Sequence, residues 1–461
     1  MRFKTLIILI SLLTLASKAQ VALSPYDIPQ YGFINYDINQ LELVNTIPAF
    51  ERLFSQFDTL IRNGSNRINI VHIGGSHIQA DVYTHRVRQE LQTFYPGLLG
   101  SRGFFFPFPI ARTNCPSNLH ISYTGEWLTG KNTQPDPPFI LGLSGITASM
   151  VSDTGEIRIV ALFDTLNHYD FNRVKIFCNA PENGIIPNIN NNLNISKYIV
   201  DTAGRCIEYF LKDYTDTLLI SIFQSGIITE KFELYGISLE NDDPGVVYNS
   251  IGVNGATLRS YLRCSLFVNQ LKMLNPDLVI ISIGTNEGNS RDFDNEAYKM
   301  DYLSLLDSVN RAAPGAAVLL TVPNDSYLLK RYINRNTAKM RETIFNIANT
   351  YHYGVWDFYS VMGGLNSVKL WYDFGLMNND HIHFNKQGYL LKGELFYAAL
   401  MKSWEEHLIS LPNTPVVPLR LAQSIPGNET NDSIEPTIIK HLTTLPQYHD
   451  RLPQTDIPLQ R

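Results

Sequence analysis

Two polar clusters, far apart in the sequence, could together form a site in which a serine hydrolyses an ester. The first is Gly-Gly-Ser-His at residues 74–77, and the second is Asp-His-Ile-His at residues 380–383. A serine hydroxyl attacks an ester poorly unless a base removes its proton, and an imidazole aimed by a carboxylate is a common base. The clusters therefore predict a split site in which Ser76 attacks an ester and a histidine of the second cluster, aimed by Asp380, accepts its proton.

Ser76 lies where a predicted strand gives way to a predicted helix. The run Ile68–Ile73 is rich in β-branched residues, and residues 81–94 have one apolar face at helical spacing. The intervening glycines are expected to adopt backbone angles that other residues do not tolerate. Open α/β sheets bind ligands at the carboxyl ends of their strands, so this is a favourable place for a nucleophile. The alternative is that Ser76 merely caps the helix.

Two further segments are predicted to end strands at the same edge of the sheet. Residues 248–257 follow a short apolar strand and would bring the amide of Gly255 to this edge. The nearly continuous apolar strand Leu278–Ile283 stops at Gly-Thr-Asn-Glu, residues 284–287. All four segments are therefore expected to converge on one site.

In order and spacing, the four segments resemble the blocks of the SGNH, or GDSL-like, hydrolase superfamily. The resemblance implies that Ser76 is the nucleophile and that Asp380 and His383 complete the triad. It also implies an oxyanion hole formed by Ser76, Gly255 and Asn286. The first block reads Gly-Gly-Ser-His where Gly-Asp-Ser is usual, and the third ends in Glu where many members have Asp. Both departures leave the chemically active residues in place.

Within the superfamily, the chain is most similar to the peptidoglycan O-acetylesterases of bacterial periplasms. They share a Gly-x-Ser-His first block, a Gly-x-Asn-Gly-Ala second block and a Gly-Thr-Asn-Glu third block. The similarity implies an exported serine esterase that removes O-acetyl groups from a glycan, with peptidoglycan as the expected substrate. Alternatives are an O-acetyltransferase, an esterase for acetylated xylan or another polysaccharide, and an inactive glycan-binding protein. The presence of every site residue weighs against the inactive protein.

His381 is the rival of His383 as the base. Residues two apart face different directions, so only one imidazole is expected to reach Ser76, and the spacing of the superfamily selects His383. Asp380, His381 and His383 could instead be metal ligands, but the sequence offers no evident further ligand cluster. No metal or other cofactor is expected. The chain also lacks the Gly-x-Ser-x-Gly elbow of α/β-hydrolases.

Three neighbouring residues are assigned supporting roles. His72 is expected to pack within the sheet and His77 to begin the helix after Ser76. Glu287 is expected to fix the loop of Asn286 rather than to take part in the chemistry.

The order of elements predicts an α/β fold, a three-layer parallel-sheet SGNH hydrolase (flavodoxin-like) with an inserted β-sandwich module. Apolar runs at 68–73, 246–251, 278–283, 317–322 and 355–358 alternate with helical segments. Between 119 and 241 the pattern changes to short strands at the spacing of an antiparallel sandwich. This module could bind carbohydrate, or it could be only a lid or a spacer. The predicted organisation is a signal peptide 1–19, a first hydrolase part 20–118, the module 119–241, a second hydrolase part 242–410, and a Pro-rich tail 411–461 expected to be disordered.

Charge and terminal sequence indicate location and partners. The formal net charge is −6, so the chain has no excess of basic residues, and nucleic acid is not an expected partner. Arg2 and Lys4 precede the apolar run Leu6–Leu15, which is too short to span a bilayer of roughly 30 Å. Small residues follow, as in a signal peptide, although an uncleaved anchor is an alternative. We expect a secreted or periplasmic protein without stable membrane insertion. The sequence does not indicate an oligomeric state.

The four cysteines are residues 115, 178, 206 and 264. They show no Cys-x-x-Cys spacing, so neither a zinc ribbon nor a thioredoxin-like site is predicted. No cysteine stands directly after the N-terminal apolar run, which argues against a lipid anchor. In an exported protein Cys178 and Cys206 could pair.

Overall fold

The computed structural model describes residues 28–43, 47–164, 167–190, 194–224 and 231–411. The predicted signal peptide lies outside these ranges, as does the predicted tail from residue 412 onward, and both remain predictions. The chain divides into two compact units, Met1–Trp404 and Glu405–Arg461. The second unit is described only over residues 405–411, which are helical through Ser410. No described helix is both long enough and apolar enough to cross a membrane.

The strands belong to a parallel sheet, to two antiparallel sheets and to a small hairpin. In chain order they are β1 (Leu41–Glu42), β2 (Arg67–Gly74), β3 (Gly103–Phe105), β4 (Leu119–Tyr123), β5 (Trp127–Lys131), β6 (Ile146–Met150), β7 (Thr154–Ala161), β8 (Phe171–Cys178), β9 (Asn188–Ile189), β10 (Ile195–Asp201), β11 (Cys206–Thr215), β12 (Thr217–Phe223), β13 (Glu233–Glu240), β14 (Gly245–Gly252), β15 (Leu278–Ser282), β16 (Ala317–Thr321), β17 (Tyr327–Leu328), β18 (Tyr332–Ile333) and β19 (Gly354–Trp356).

The helices alternate with the parallel strands, and single 3₁₀ turns occur at Tyr36–Ile38 and Phe108–Ala111. In chain order the α-helices are α1 (Pro48–Asn63), α2 (Ser76–Gln79), α3 (Tyr83–Thr93), α4 (Ala180–Asn183), α5 (Leu258–Leu262), α6 (Phe267–Met273), α7 (Thr285–Gly288), α8 (Asn295–Ala312), α9 (Asn336–Tyr351), α10 (Phe358–Val361), α11 (Ser367–Asp373) and α12 (Lys386–Ser410).

The central sheet has the order β1-β19-β16-β15-β2-β14. All of its neighbouring strands run parallel except β1, which pairs antiparallel with β19. Each parallel strand predicted from the sequence is present, so the predicted fold class is confirmed. Strand β1 was not predicted, because two residues carry no periodic signal. Because β2 lies between β15 and β14, residues at its carboxyl end are next to the ends of both neighbours.

The two faces of the sheet enter different hydrophobic cores. Alternate residues of β15 show this: Leu278 and Ile280 belong to one core, and Val279 and Ile281 to the other. Helices α1, α3 and α12 contribute to the first core, and α6, α8 and α9 to the second. Cover on both faces explains why these strands are buried along almost their whole length.

The β-rich module contains two antiparallel sheets, β10-β11-β8-β13-β6-β5 and β4-β7-β12-β9. Buried residues of both sheets belong to the same core as the second face of the parallel sheet. The sequence pattern predicts strands at 157–162, 173–178, 206–211, 217–221 and 232–239, and these are present as β7, β8, β11, β12 and β13. Strands β4, β5, β6, β9 and β10 were not predicted. Strand β3 pairs with β13, so one strand of the larger sheet lies before residue 119. The module and the parallel sheet therefore share buried contacts as well as chain connections.

All four cysteines are free thiols in the structure. The possible pairing of Cys178 with Cys206 is therefore not formed. In the register of β8 and β11, Cys206 lies opposite Phe177. Neighbouring residues of a strand point to opposite faces, which places Cys178 on the other face of the sheet.

Candidate active site

Ser76, His383 and Asp380 form a continuous chain of hydrogen bonds. The Oγ atom of Ser76 lies 2.8 Å from Nε2 of His383, and Nδ1 of His383 lies 2.6 Å from Oδ2 of Asp380. The other carboxylate oxygen accepts hydrogen bonds from the amides of Ile382 and His383, at 3.0 and 2.9 Å. The carboxylate is thus fixed by the backbone of its own loop, and it holds the imidazole in one orientation toward Ser76.

Asp380 remains ionised because several donors surround it. Burial alone would raise the pKa of its carboxyl group, but hydrogen bonds from the His383 side chain and from the loop amides outweigh that effect and lower the pKa. A negative charge beside Nδ1 favours the tautomer that carries a proton there and leaves Nε2 free to accept one. This is the arrangement that a general base for Ser76 requires.

Ser76 is exposed to the cleft because α2 packs very closely on the ends of two strands. A Cβ atom on Gly74 would lie 2.2 Å from Cγ1 of Ile78, and one on Gly252 would lie 2.3 Å from the amide nitrogen of Gln79. Gly74 and Gly252 are register partners in β2 and β14. Only glycine leaves room for the helix at this point.

The structure revises two sequence-based interpretations of this turn. Gly74 and Gly75 were expected to adopt special backbone angles; neither has a positive φ, although Gly75, with φ −97° and ψ −141°, lies outside the helical and strand regions. Gly74 is needed for space, because any side chain would collide with α2. Ser76 was considered as a helix cap, but Gly75 occupies the N-cap position and Ser76 is the first helical residue. Its hydroxyl is therefore available to His383.

Gly255 and Asn286 reach the same cleft, as the resemblance implied. A cleft of 530 Å³ is lined by both residues together with Ser76 and His383. The backbone amides of Ser76 and Gly255 donate no hydrogen bond within the described part of the chain. The Nδ2 group of Asn286 donates one hydrogen bond to the carbonyl of Ala256 at 2.8 Å, which leaves its second N–H unused. These groups could receive a developing oxyanion, and they keep that role as a prediction.

Glu287 fixes the Gly255 turn to the Asn286 turn. One of its carboxylate oxygens accepts a hydrogen bond from the amide of Leu258 at 2.7 Å. The other oxygen is buried and has no partner in the described part of the chain. Burial raises the pKa of this carboxyl group to about 7. Asn286 and Glu287 thus hold residues 255–258 from one side, in agreement with the supporting role expected for Glu287.

His381 faces away from Ser76. Its ring stacks on Tyr327 with ring centroids 4.8 Å apart, and the ring of Tyr372 lies 4.4 Å away. Only His383 of this pair contacts the nucleophile, as expected from the spacing. Within the described ranges, no group of three or more His, Cys, Asp or Glu side chains could hold a metal ion.

His72 and His77 are buried and support the site through hydrogen bonds. His72 is buried in β2, with ring nitrogens 2.6 Å from both the Tyr248 hydroxyl and Ser282 Oγ. His77 is the second residue of α2, and its Nδ1 lies 2.9 Å from the hydroxyl of Tyr389, a cleft residue. Burial lowers the pKa of both imidazoles well below the usual value, so both are neutral at pH 7. Both act as hydrogen-bonding supports. His72 lies within the sheet, as expected, whereas α2 begins at Ser76, one residue before His77.

The sequence did not indicate several residues that line the cleft. Asn114 accepts hydrogen bonds from the side chains of Gln79 and Asn254, at 2.8 and 2.7 Å, so the three form a linked group at one wall. Asn254 stands in the same block as Gly255 and could have been found there. Asn114 and Lys330 lie in loops whose sequences carry no spacing signal, and only the fold brings them to Ser76.

Comparison with known proteins agrees with this geometry. A model of the GDSL-like lipase/acylhydrolase family matches residues 234–391. A solved structure of a peptidoglycan O-acetylesterase superposes with a TM-score of 0.61 and 19% identity, covering 81% of this chain and 98% of that chain. No curated protein matches in sequence.

Two further solved structures are similar over a smaller part of the chain. A lipase/acylhydrolase from Enterococcus faecalis has 18% identity and a TM-score of 0.29, covering 35% of this chain and 78% of that chain. An acetylxylan esterase from Geobacillus stearothermophilus has 18% identity and a TM-score of 0.29, covering 35% of this chain and 74% of that chain. The chain shares its fold with the peptidoglycan O-acetylesterase structure, and residues 234–391 match the GDSL-like lipase/acylhydrolase family.

Proposed function

We propose that this SGNH hydrolase is an exported serine esterase that removes O-acetyl groups from a glycan, and that the glycan is peptidoglycan. The observation that carries the proposal is the hydrogen-bonded chain Ser76–His383–Asp380, which opens onto a cleft containing unengaged amide donors. The choice of peptidoglycan is supported by the likeness to a peptidoglycan O-acetylesterase over 98% of that chain.

In the first half of the reaction, Ser76 would form an acetyl-enzyme. Its Oγ attacks the acetyl carbonyl while its proton passes to Nε2 of His383, and Asp380 stabilises the imidazolium that results. The negative charge on the carbonyl oxygen would be received by the amides of Ser76 and Gly255 and by the second N–H of Asn286. The sugar hydroxyl then leaves with the proton from His383.

In the second half, water would release the acetyl group. His383 removes a proton from a water molecule in the position vacated by the sugar, and the hydroxyl attacks the acetyl-enzyme. Acetate leaves, and Ser76 recovers its proton. General-base assistance of this kind contributes about 10²–10⁴-fold in each half.

The experiment that tests the proposal measures acetate released from O-acetylated peptidoglycan and from acetylated xylan by the purified protein. We expect peptidoglycan to be the better substrate by kcat/KM, with Ser76→Ala inactive on both. Preference for xylan would overturn the substrate assignment. Acetyl transfer to added sugar hydroxyls without free acetate would identify a transferase. Glycan binding without either product would identify an inactive binding protein.

Export is a separate part of the proposal and rests on the sequence of residues 1–19. We expect the mature protein, when expressed in its native host, to begin near residue 20. Determination of its N-terminal residue from the exported fraction checks this. A mature protein that retains residues 1–19 would favour the uncleaved anchor.

A further inference from the structure

We infer that the cleft hairpin, Tyr327–Ile333, is a subsite that binds a carboxylate of the glycan beside the ester. The inference rests on the proposed function and narrows it to acidic glycans. It is carried by the position, the anchoring and the charge of the hairpin.

The cleft hairpin reaches the proposed reaction site. It consists of β17 and β18, which pair in antiparallel register, and the turn between them. Lys330 in this turn lines the same cleft as Ser76 and His383. A ligand group held by Lys330 would therefore belong to the same substrate molecule as the ester.

The hairpin is attached directly to the catalytic loop. The amide of Tyr327 donates to the carbonyl of His381 at 3.0 Å, and the two rings stack at 18°. On the other side of the turn, Asn289 Oδ1 accepts a hydrogen bond from the amide of Leu329 at 2.5 Å. This accounts for the role of His381: it connects the hairpin to the loop that carries His383.

The turn keeps a backbone conformation that non-glycine residues rarely adopt. Leu329 and Lys330 have φ angles of 53° and 62°. Such angles persist where the surrounding structure determines them, and they often occur at ligand-binding sites. With Tyr327 and Leu329 both anchored, the Lys330 side chain leaves the turn from a fixed point.

Three positively charged side chains lie on or beside the cleft hairpin, and one of them, Lys330, lines the cleft. Among the described residues that line the cleft, Lys330 is the one with a permanent charge, and none is an aspartate or glutamate. Arg291 and Arg331 each lie 5.6 Å from the ring centroid of Tyr332. None of these three cations forms an ion pair with a carboxylate in the described ranges. The chain as a whole is acidic, with a net charge of −6, so this local excess is opposite in sign to the average.

Cationic side chains beside an exposed aromatic ring fit a sugar that carries a carboxylate. Ammonium and guanidinium groups donate charge-assisted hydrogen bonds to carboxylates, while Tyr332, which is 45% exposed, offers an apolar ring at the same place. Peptidoglycan carries carboxylates on the peptides attached to its muramyl residues. Acetylated mannan is neutral and lacks such a group.

The test compares Lys330→Ala and Arg331→Ala with the wild-type protein on O-acetylated peptidoglycan, acetylated mannan and 4-nitrophenyl acetate. We expect the ratio of kcat/KM for peptidoglycan to that for mannan to fall about threefold to tenfold in each variant, mainly through KM. Lys330→Arg should restore most of the ratio. High salt should lower the wild-type ratio and have less effect on Lys330→Ala, because salt screens exposed charges.

Lys272→Ala is the matched control. Lys272 is an exposed cation on α6, just before β15, at the edge of the sheet opposite Ser76. We expect this variant to keep the wild-type ratio. Equal losses on peptidoglycan and mannan in Lys330→Ala, or no loss on either, would overturn the inference.

A separate result would identify failure of the proposed function. If the wild-type protein hydrolyses 4-nitrophenyl acetate but releases no acetate from peptidoglycan, the substrate assignment is wrong. The same variants are then compared on acetylated polygalacturonate, which is also anionic. A Lys330-dependent, salt-sensitive preference for it over mannan would support the subsite, and its absence would refute it.

Discussion

His383 and His381 are two residues apart, yet the structure gives them different environments. His383 Nε2 lies 2.8 Å from Ser76 Oγ, whereas His381 is stacked beside Tyr327 and Tyr372. We predict that His383→Ala loses as much kcat/KM on a chromogenic acetyl ester as Ser76→Ala, and that the double variant loses no more, because members of a triad act as a unit.

His381→Ala is the control for this ranking and should retain measurable turnover. Its defect is expected on polymeric substrate, because the variant loses the ring that stacks on Tyr327 of the cleft hairpin. If His381→Ala were less active than His383→Ala on the chromogenic ester, the assignment of His383 as the base would be refuted.

Asn286 is predicted to be a transition-state donor. Loss of one oxyanion donor costs about 2.7–4 kcal/mol, so Asn286→Ala should lower kcat about 10²–10³-fold with little change in KM. Asn286→Ala also removes the bond to the Ala256 carbonyl, so a melting curve must first show that the variant is folded. An unchanged kcat in a folded variant would remove Asn286 from the oxyanion hole.

At the residue scale, the sequence predicted the groups that come together at Ser76 but not the groups that surround them. Ser76, Gly255, Asn286, Asp380 and His383 lie in recognisable blocks because their chemistry constrains both residue type and local spacing. Lining residues such as Asn114 and Lys330 are brought in by tertiary structure alone. The sequence also did not show why residue 74 is glycine. A side chain there would collide with Ile78 of α2, and this contact exists only in the folded chain.

At the scale of elements, the turn between β14 and α5 is held by a buried carboxyl group. Burial raises the pKa of Glu287 to about 7, from an ordinary value of 4.5. Between these pH values the folded protein binds a proton that the unfolded chain has lost, so this group's contribution to stability is lost as pH rises through the window. Glu287→Gln removes the titration while its amide oxygen can still accept from Leu258.

We therefore predict that the free energy of unfolding of the wild-type protein falls relative to Glu287→Gln between about pH 4.5 and 7, by up to about 3 kcal/mol. Denaturant unfolding at a series of pH values measures the difference. Glu51→Gln, which changes an exposed carboxylate on α1, is the control and should show no such trend. A pH-independent difference for Glu287→Gln would mean that its carboxyl group does not titrate in this window.

The elements that sequence patterns missed have physical reasons in common. Strand β10 is exposed along almost its whole length, and β6 is buried along all of it, so neither shows alternation. Strand β3 has three residues and exists because it pairs with β13, far away in sequence. In contrast, the parallel strands are covered on both faces and contain runs of apolar residues, which made them recognisable.

At the scale of the whole molecule, the β-rich module is part of the structural core. Phe104 in β3 packs against Phe177 in β8, with ring centroids 5.3 Å apart, and β3 takes its backbone partner from β13. Phe104, Phe105 and Phe106 are buried in a core that also contains Val71 and Ile73 of the catalytic strand.

Deletion of residues 119–241 should therefore prevent cooperative folding rather than produce a smaller active enzyme. Each buried phenylalanine that becomes exposed costs about 1.5–3 kcal/mol, and several would become exposed together. Circular dichroism and a thermal melt of the deletion variant check this. A cooperative melt near the wild-type temperature would show that the parallel-sheet part folds alone.

The central claim is that Ser76 is the nucleophile, and covalent labelling tests it most directly. The purified protein is treated with a serine-directed organophosphonate, and the modified peptide is identified by mass spectrometry, with Ser76→Ala as the control. The account predicts one label on Ser76, loss of ester hydrolysis in parallel with labelling, and no label in the folded variant. A label on a different serine, or full inhibition with Ser76 unmodified, would contradict the account.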